Sequence, residues 1–172
     1  PRKNKTFKVE CPTTYLSTII FDNGTIIRLT LSFDVVAHQR NHIELYGDKG
    51  SMIVPDPNMF GGSVYTCVDD SGSWEEHSTT DLPLWKINIT SHSGRANESP
   101  TNANYRGVGL SEMAYCIENG KKHRCNGELS LHVLDIIKST MKAADTQTPQ
   151  EIKTTCQKAD FFDPKEIYQI LK

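Results

Sequence analysis

Arg28, Thr30, Ser32 and Asp34 alternate along one stretch and form a row of hydrogen-bond donors and acceptors. Such a row suits a polyol, whose hydroxyls need several polar partners at once. It equally suits a wet surface or an interface between subunits. His38 continues the same parity if the strand extends that far, and His42 follows four residues later. Two histidines at that spacing can suit a metal, but no cysteine or carboxylate stands near them in ligand spacing. His132 lies one helical turn after Glu128. The spacing predicts an i, i+4 pair that satisfies a half-buried imidazole. The five cysteines, Cys11, Cys67, Cys116, Cys125 and Cys156, include no C-x-x-C. An odd, widely spaced set reads as reduced thiols and places the chain in the cytoplasm. Gly107-Val108-Gly109 is the nearest approach to a dinucleotide fingerprint. It lacks the third glycine and follows a polar stretch, so it reads as small residues where a helix packs closely.

These groups must be carried by elements. Tyr15 to Phe21 predicts a strand, and Asp22-Asn23-Gly24 predicts the hairpin turn after it. The next strand places Thr25, Ile27, Leu29, Leu31 and Phe33 on one face and the polar row with Ile26 on the other. Period two assigns the first set to a core. A second hairpin is expected at Ile43–Tyr46 and Ser51–Val54 around Gly47-Asp48-Lys49-Gly50. Further strands are expected at Val64–Asp69 and around Trp74. Together they predict an antiparallel sheet of five or six strands. Ser91 to Asn104 reads as a long polar loop.

Two helices follow. Leu110, Met113, Ala114 and Ile117 define an apolar face, and Gly120 is placed to end the first helix. Asn126 is the expected N-cap of the second, whose apolar arc of Leu129, Val133, Leu134, Ile136, Ile137 and Met141 is expected to cover a sheet. Ile152–Cys156 reads as a short strand, and Asp163-Pro164-Lys165-Glu166 as a helix start. The fold class is α+β: an open, predominantly antiparallel β-sheet with helices packed on one face, in one domain.

Composition limits the functions. The 172 residues carry a formal net charge of −2, with 37 % hydrophobic and 23 % charged residues. That argues against non-specific nucleic-acid binding. The basic run Lys121-Lys122-His123-Arg124 is short and reads as a solvated loop. No apolar run approaches the roughly 20 residues of a membrane span. Pro1-Arg2-Lys3-Asn4-Lys5 is no signal peptide and reads as the start of a chain cut from something longer. Asn88-Ile89-Thr90 and Asn97-Glu98-Ser99 match the glycosylation sequon and read as chance matches.

Two stretches converge on one family. SFDVVAHQRNHIELYGDKGSMIVPDPNMFGG (32–62) and YRGVGLSEMAYCIENGKKHRCNGELSLHVLDII (105–137) resemble the C-terminal domain of the glucose–fructose oxidoreductase/inositol dehydrogenase (Gfo/Idh/MocA) family. The hairpin with its Pro-Asp-Pro-Asn-x-Phe-Gly-Gly loop and the Gly-Glu-Leu-x-Leu-His-Val-Leu-Asp helix carry the resemblance. It implies a two-part enzyme, in which an N-terminal Rossmann domain of the same parent chain binds NAD or NADP. The C-terminal domain supplies the substrate side and, through its open sheet, a homo-oligomer interface. The implied reaction is hydride transfer between a sugar or polyol carbon and the nicotinamide, with a lysine or histidine taking the hydroxyl proton. The family's Glu-Lys-Pro lysine has no counterpart in this chain, and no expected helix here carries its Asp-x-x-x-His pair. No catalytic or cofactor-binding residue is therefore expected here. Asp34, His38, Asn58 and Arg106 are the expected substrate-side groups, by polar type and position in the matched stretches. The alternatives are a non-catalytic sugar- or protein-binding module and a small metal enzyme built on His38 and His42.

Overall fold

Strand β1 (Thr14–Ile20) pairs antiparallel with β2 (Ile26–Ser32), Ile20 opposite Ile26 and Thr14 opposite Ser32. This is the first of three sheets in the computed structural model of the chain, which describes residues 6, 8–68, 70–89 and 100–171. The turn forms where Asn-Gly predicts it. Gly24 takes a φ of +86°, and Phe21 and Thr25 close the loop by a 2.9 Å backbone bond. The register puts Tyr15, Ser17 and Ile19 beside Ile27, Leu29 and Leu31 on one face. The other face is less polar than β2 alone suggests, because β1 adds Leu16 and Ile20 to it.

The chain divides into two compact units, one ending at Arg40 and one running from Asn41 onward. The hairpin belongs to the first. In the second, β3 (Ile43–Gly47), β4 (Gly50–Val54), β5 (Val64–Cys67) and β6 (Glu75–His77) form a four-stranded antiparallel sheet in sequence order. The strands are thus where the sequence predicts them, but they are shared between separate sheets instead of forming one of five or six. A third sheet is parallel and short: β7 (Ile87–Asn88) against β8 (Asn102–Ala103). The polar stretch 91–104 is therefore part strand at its end, and residues 91–99 lie outside the described residues.

Three helices complete the described residues: α1 (Val108–Glu118), α2 (Gly127–Thr146) and α3 (Pro164–Ile170). The chain is thus a mixed α+β protein. The helix ends follow local chemistry. Asn126 accepts from the Leu129 N–H at 3.1 Å, Asp163 accepts from the Lys165 N–H at 2.7 Å, and Gly120 turns left-handed at +64°.

The helix faces depart from expectation. The buried residues of α1 are Val108, Glu112 and Cys116, while Leu110 and Ile117 are exposed. The core lies where α1 meets α3: Val108, Ile167 and Ile170, joined by Leu84, Tyr105, Tyr115 and Phe162. A carboxylate can replace an apolar side chain on that face because Arg124 neutralises it, as described below. Helix α2 buries no residue, and Val133, Leu134, Ile137 and Met141 are all exposed. The expectation that its apolar arc covers a sheet is not met within the described residues. Residues 152–156 form no strand, and the backbone N–H groups of Lys153 and Thr154 turn to Asp135 on α2. No described helix is long and apolar enough to cross a membrane.

Candidate functional site

Pro55 to Gly62 leaves the second hairpin as an irregular loop whose shape is set residue by residue. Asp56 accepts from the Asn58 N–H at 2.9 Å and starts the 3₁₀ turn Pro57–Met59. Phe60 then sits at φ 64°, ψ −74°, and the Gly61 N–H reaches back to the Met59 carbonyl at 2.9 Å. This is the rarer γ-turn of positive φ, strained for a residue with a side chain. Three contacts hold it. The Phe60 ring packs 4.9 Å from that of Tyr105, Phe60 bridges to Ile87, and Gly61 lies against the Trp85–Ile87 backbone. A Cβ on Gly61 would collide with the Trp85 carbonyl oxygen and come within 3.0 Å of the Ile87 nitrogen.

Asn88 locks these pieces together. It is 4 % exposed; its Nδ2 donates to the Asn58 carbonyl at 3.4 Å and its Oδ1 accepts from the Tyr105 N–H at 3.0 Å. A buried amide persists only when its donors and acceptors are met, so Asn88 fixes the loop against the segment that leads into α1. Its burial leaves no room for a glycan, and the rest of that sequon, Thr90, lies outside the described residues, as do Asn97 to Ser99. Burial pushes the Tyr105 phenol up, opposed by a bond from the Lys86 backbone. Sequence reasoning took Asn88 only as a sequon. A lone amide between Ile87 and Ile89 was the signal available.

The four expected substrate-side residues fall in two places. Asn58 and Arg106 flank the Asn88 latch, Asn58 through its carbonyl and Arg106 as the neighbour of Tyr105. Both are exposed, and the Arg106 N–H is turned to Asn104 at 3.2 Å. Asp34 and His38 belong to the other compact unit. Asp34 accepts from Thr13 and closes the open end of the hairpin, and Ser32 bonds Thr14 at 2.7 Å. The polar row is thus partly used inside the hairpin itself. His38 lies in irregular chain, because β2 ends at Ser32 and the parity does not carry on.

His42 lies 3.8 Å from Asp56. Among the described residues no group of three or more His, Cys, Asp or Glu side chains could hold a metal. His132 does not pair with Glu128, which binds Lys122 at 2.7 Å. Its Nδ1 meets the Thr154 hydroxyl at 3.0 Å, and that hydroxyl also lies 3.0 Å from Asp135 Oδ2. Asp135 can only accept, so the threonine proton goes to Asp135 and the imidazole N–H donates to the threonine oxygen. Through Nδ1 the imidazole is a donor here. The Thr154 N–H and hydroxyl hold the Asp135 carboxyl below the usual carboxylate range, with help from Lys153 and Ser139.

Arg124 is no solvated loop residue. Nη1 meets Glu112 at 3.0 Å, Nη2 meets Glu166 at 3.2 Å, Nε meets the Asp160 carbonyl at 2.9 Å, and the guanidinium lies 4.0 Å over Phe162. Lys121 adds a 2.7 Å bond to Glu166. The network ties α1 to α3. Cys116 donates to Glu112 at 3.5 Å, and burial first, then that carboxylate, push its thiol up. Such a thiol is inert.

Gly107-Val108-Gly109 opens α1 four residues after β8, nearer a strand than the sequence suggests. A Cβ at Gly107 or Gly109 would meet nothing within 4 Å, so close packing does not explain these glycines. The arrangement around Asn88 offers exposed amide and guanidinium groups for hydroxyls, with no nucleophile bonded to a base among these residues. Compared with family models, curated proteins and solved structures, the chain finds no match.

Proposed function

We propose that the chain is the substrate-side and oligomerisation domain of an NAD(P)-dependent oxidoreductase acting on a sugar or polyol. One observation carries the reading. The two stretches that resemble the Gfo/Idh/MocA C-terminal domain contribute Asn58 and Tyr105, which meet on the same buried amide of Asn88. Residues distant in sequence thereby present Asn58 and Arg106 beside one rigid loop. In this reading the sheet β3–β6 is part of the open antiparallel sheet, with helices on one face and a second copy on the other. Asn58 and Arg106 orient substrate hydroxyls, and orientation is the protein's share of hydride transfer.

The residues do not fit a dinucleotide. The third glycine is missing, and the parallel pair ahead of α1 has two residues per strand. NAD or NADP is therefore assigned to a Rossmann domain of the same parent chain. The alternative, a non-catalytic sugar- or protein-binding module, draws on the lack of a nucleophile–base pair around Asn88. The parent gene separates the two. Upstream of the Pro1 codon it is expected to encode a strand–G-x-G-x-x-G–helix segment and a Glu-Lys-Pro motif. A start codon close to Pro1 overturns the oxidoreductase reading. Titration of the 172-residue chain with NADH and NADPH is expected to give no binding, and tight binding overturns the division of labour.

A further inference from the structure

A hollow of about 290 Å³ in the second unit is lined by Asp81, Leu82, Pro83, Trp85, Pro164 and Tyr168. That is the lower end of ligand-pocket sizes and suits one compact head group, not an extended chain. Its lining is rooted in the core of the unit. Leu84 packs against the Val108–Ile167–Ile170 cluster, and its neighbours Pro83 and Trp85 line the hollow. The Trp85 backbone is held in turn by Gly61. Helix α3 buries Ile167 and Ile170 and turns Pro164 and Tyr168, four apart, to the hollow.

Charge and ring chemistry define what fits. Among the described residues the lining carries one charged side chain, Asp81, and that carboxylate has no hydrogen bond or ion pair. The Trp85 ring already attracts a cation: the Lys86 ammonium stands 5.8 Å from its centroid. Indole is the best aromatic ring for holding a cation, and about 6 Å is the outer limit of that contact. A lysine ammonium is compact and strongly hydrated, so closer approach costs it water. Lys86 does not itself line the hollow.

We propose that this hollow binds a small quaternary ammonium ion of the choline type. Such an ion has no N–H and spreads its charge over methyl groups, so it leaves water at lower cost than a lysine head and packs against a ring face. Trp85 and Tyr168 supply the rings, Pro83 and Pro164 meet the methyls, and Asp81 balances the charge. The larger groove along α2, of about 550 Å³, offers no ring and sets Lys138, Lys142 and Lys153 against Asp135, Asp145 and Glu151. The cation site uses neither Asn58 nor Arg106, so it and the oxidoreductase reading can fail separately.

The test follows the two indole N–H resonances of the 15N-labelled chain, assigned with Trp74→Phe. The probes are choline, ethanolamine, the neutral tert-butyl isostere of choline and a peptide bearing one trimethyl-lysine. Choline is expected to shift the Trp85 indole and the Asp81 amide saturably and to leave Trp74 unmoved. Ethanolamine lacks the methyls and the isostere lacks the charge, so each is expected to bind about tenfold more weakly. Asp81→Asn and Tyr168→Leu, both at exposed positions, are each expected to weaken choline about threefold. Tyr168→Phe keeps a ring and is expected to keep the affinity. No saturable response to choline at Trp85, equal binding of the isostere or of ethanolamine, unchanged affinity in both Asp81→Asn and Tyr168→Leu, or an equal loss in Tyr168→Phe and Tyr168→Leu overturns the site. Peptide binding tighter than choline overturns the small-molecule assignment. None of these outcomes touches the upstream-gene test.

Discussion

Glu112 occupies a face of α1 that helical periodicity would reserve for an apolar side chain, and it is 3 % exposed. Two donors of one residue meet it: the Arg124 guanidinium and the Arg124 backbone N–H, each at 3.0 Å. Removing one member of a buried pair strands the other in low dielectric. Glu112→Ala is therefore expected to destabilise the fold by about 3 kcal/mol in urea unfolding. Glu166 works at the other end of the network. Lys121, then Arg124, hold its carboxyl below the usual glutamate range, and the same bond holds Lys121 above the usual lysine range. A depressed carboxyl stabilises fully above its unfolded pKa of about 4.3 and loses this as pH falls through the lower folded value. A raised lysine stabilises below about 10.4 and loses this as pH rises through the higher folded value. Urea midpoints against pH are thus expected to drop on both flanks. Glu166→Gln should flatten both drops, leaving on the acid side the share of Asp135. Neither Glu112 nor Arg124 could be recognised from neighbours in sequence, because Arg124 and Glu166 are 42 residues apart.

At the scale of elements, the ends of helices and hairpins were legible and their faces were not. Asn126, Asp163 and the Asn23-Gly24 turn act on groups within a few residues, so their chemistry is complete in the local sequence. The loop after β4 is different. Its residue types predict an irregular turn, but the γ-turn at Phe60 persists only because Tyr105, Ile87 and Trp85 close around it. Gly61→Ala must push the Trp85 backbone away, and overpacking of this kind costs about 2 kcal/mol. A matching loss in unfolding free energy and a shifted Trp85 emission are the expected outcome. Full stability in Gly61→Ala would show that the loop does not hold Trp85.

The whole molecule divides at Arg40. Residues 33–42 carry neither strand nor helix, and such exposed chain is where proteases enter first. Limited trypsin digestion is expected to cut after Arg40 before any site in β3–β6 or the helices, releasing a fragment that begins at Asn41. Mass spectrometry of the early products checks this, and a first cut inside 43–77 or 108–146 would contradict the division. The apolar faces of α2 and of the hairpin were expected to meet a core. Leu31 at 51 %, Phe33 at 97 % and Ile137 at 50 % exposure show that patterning specifies which residues can be buried, not what buries them.

The sequence alone determined the positions of β1 to β5, the turns between them, the three helices and the caps, because each depends on backbone groups and side chains a few residues apart. Only tertiary structure decided the Asn88 latch, the burial of Glu112 under Arg124, the inert state of Cys116 and the hollow beside Trp85. Those depend on pairs such as Asn88 with Tyr105, 17 residues on, or Asn58 with Asn88, 30 residues on. A buried polar group is tolerated only once its partner has arrived, and periodicity carries no record of that partner.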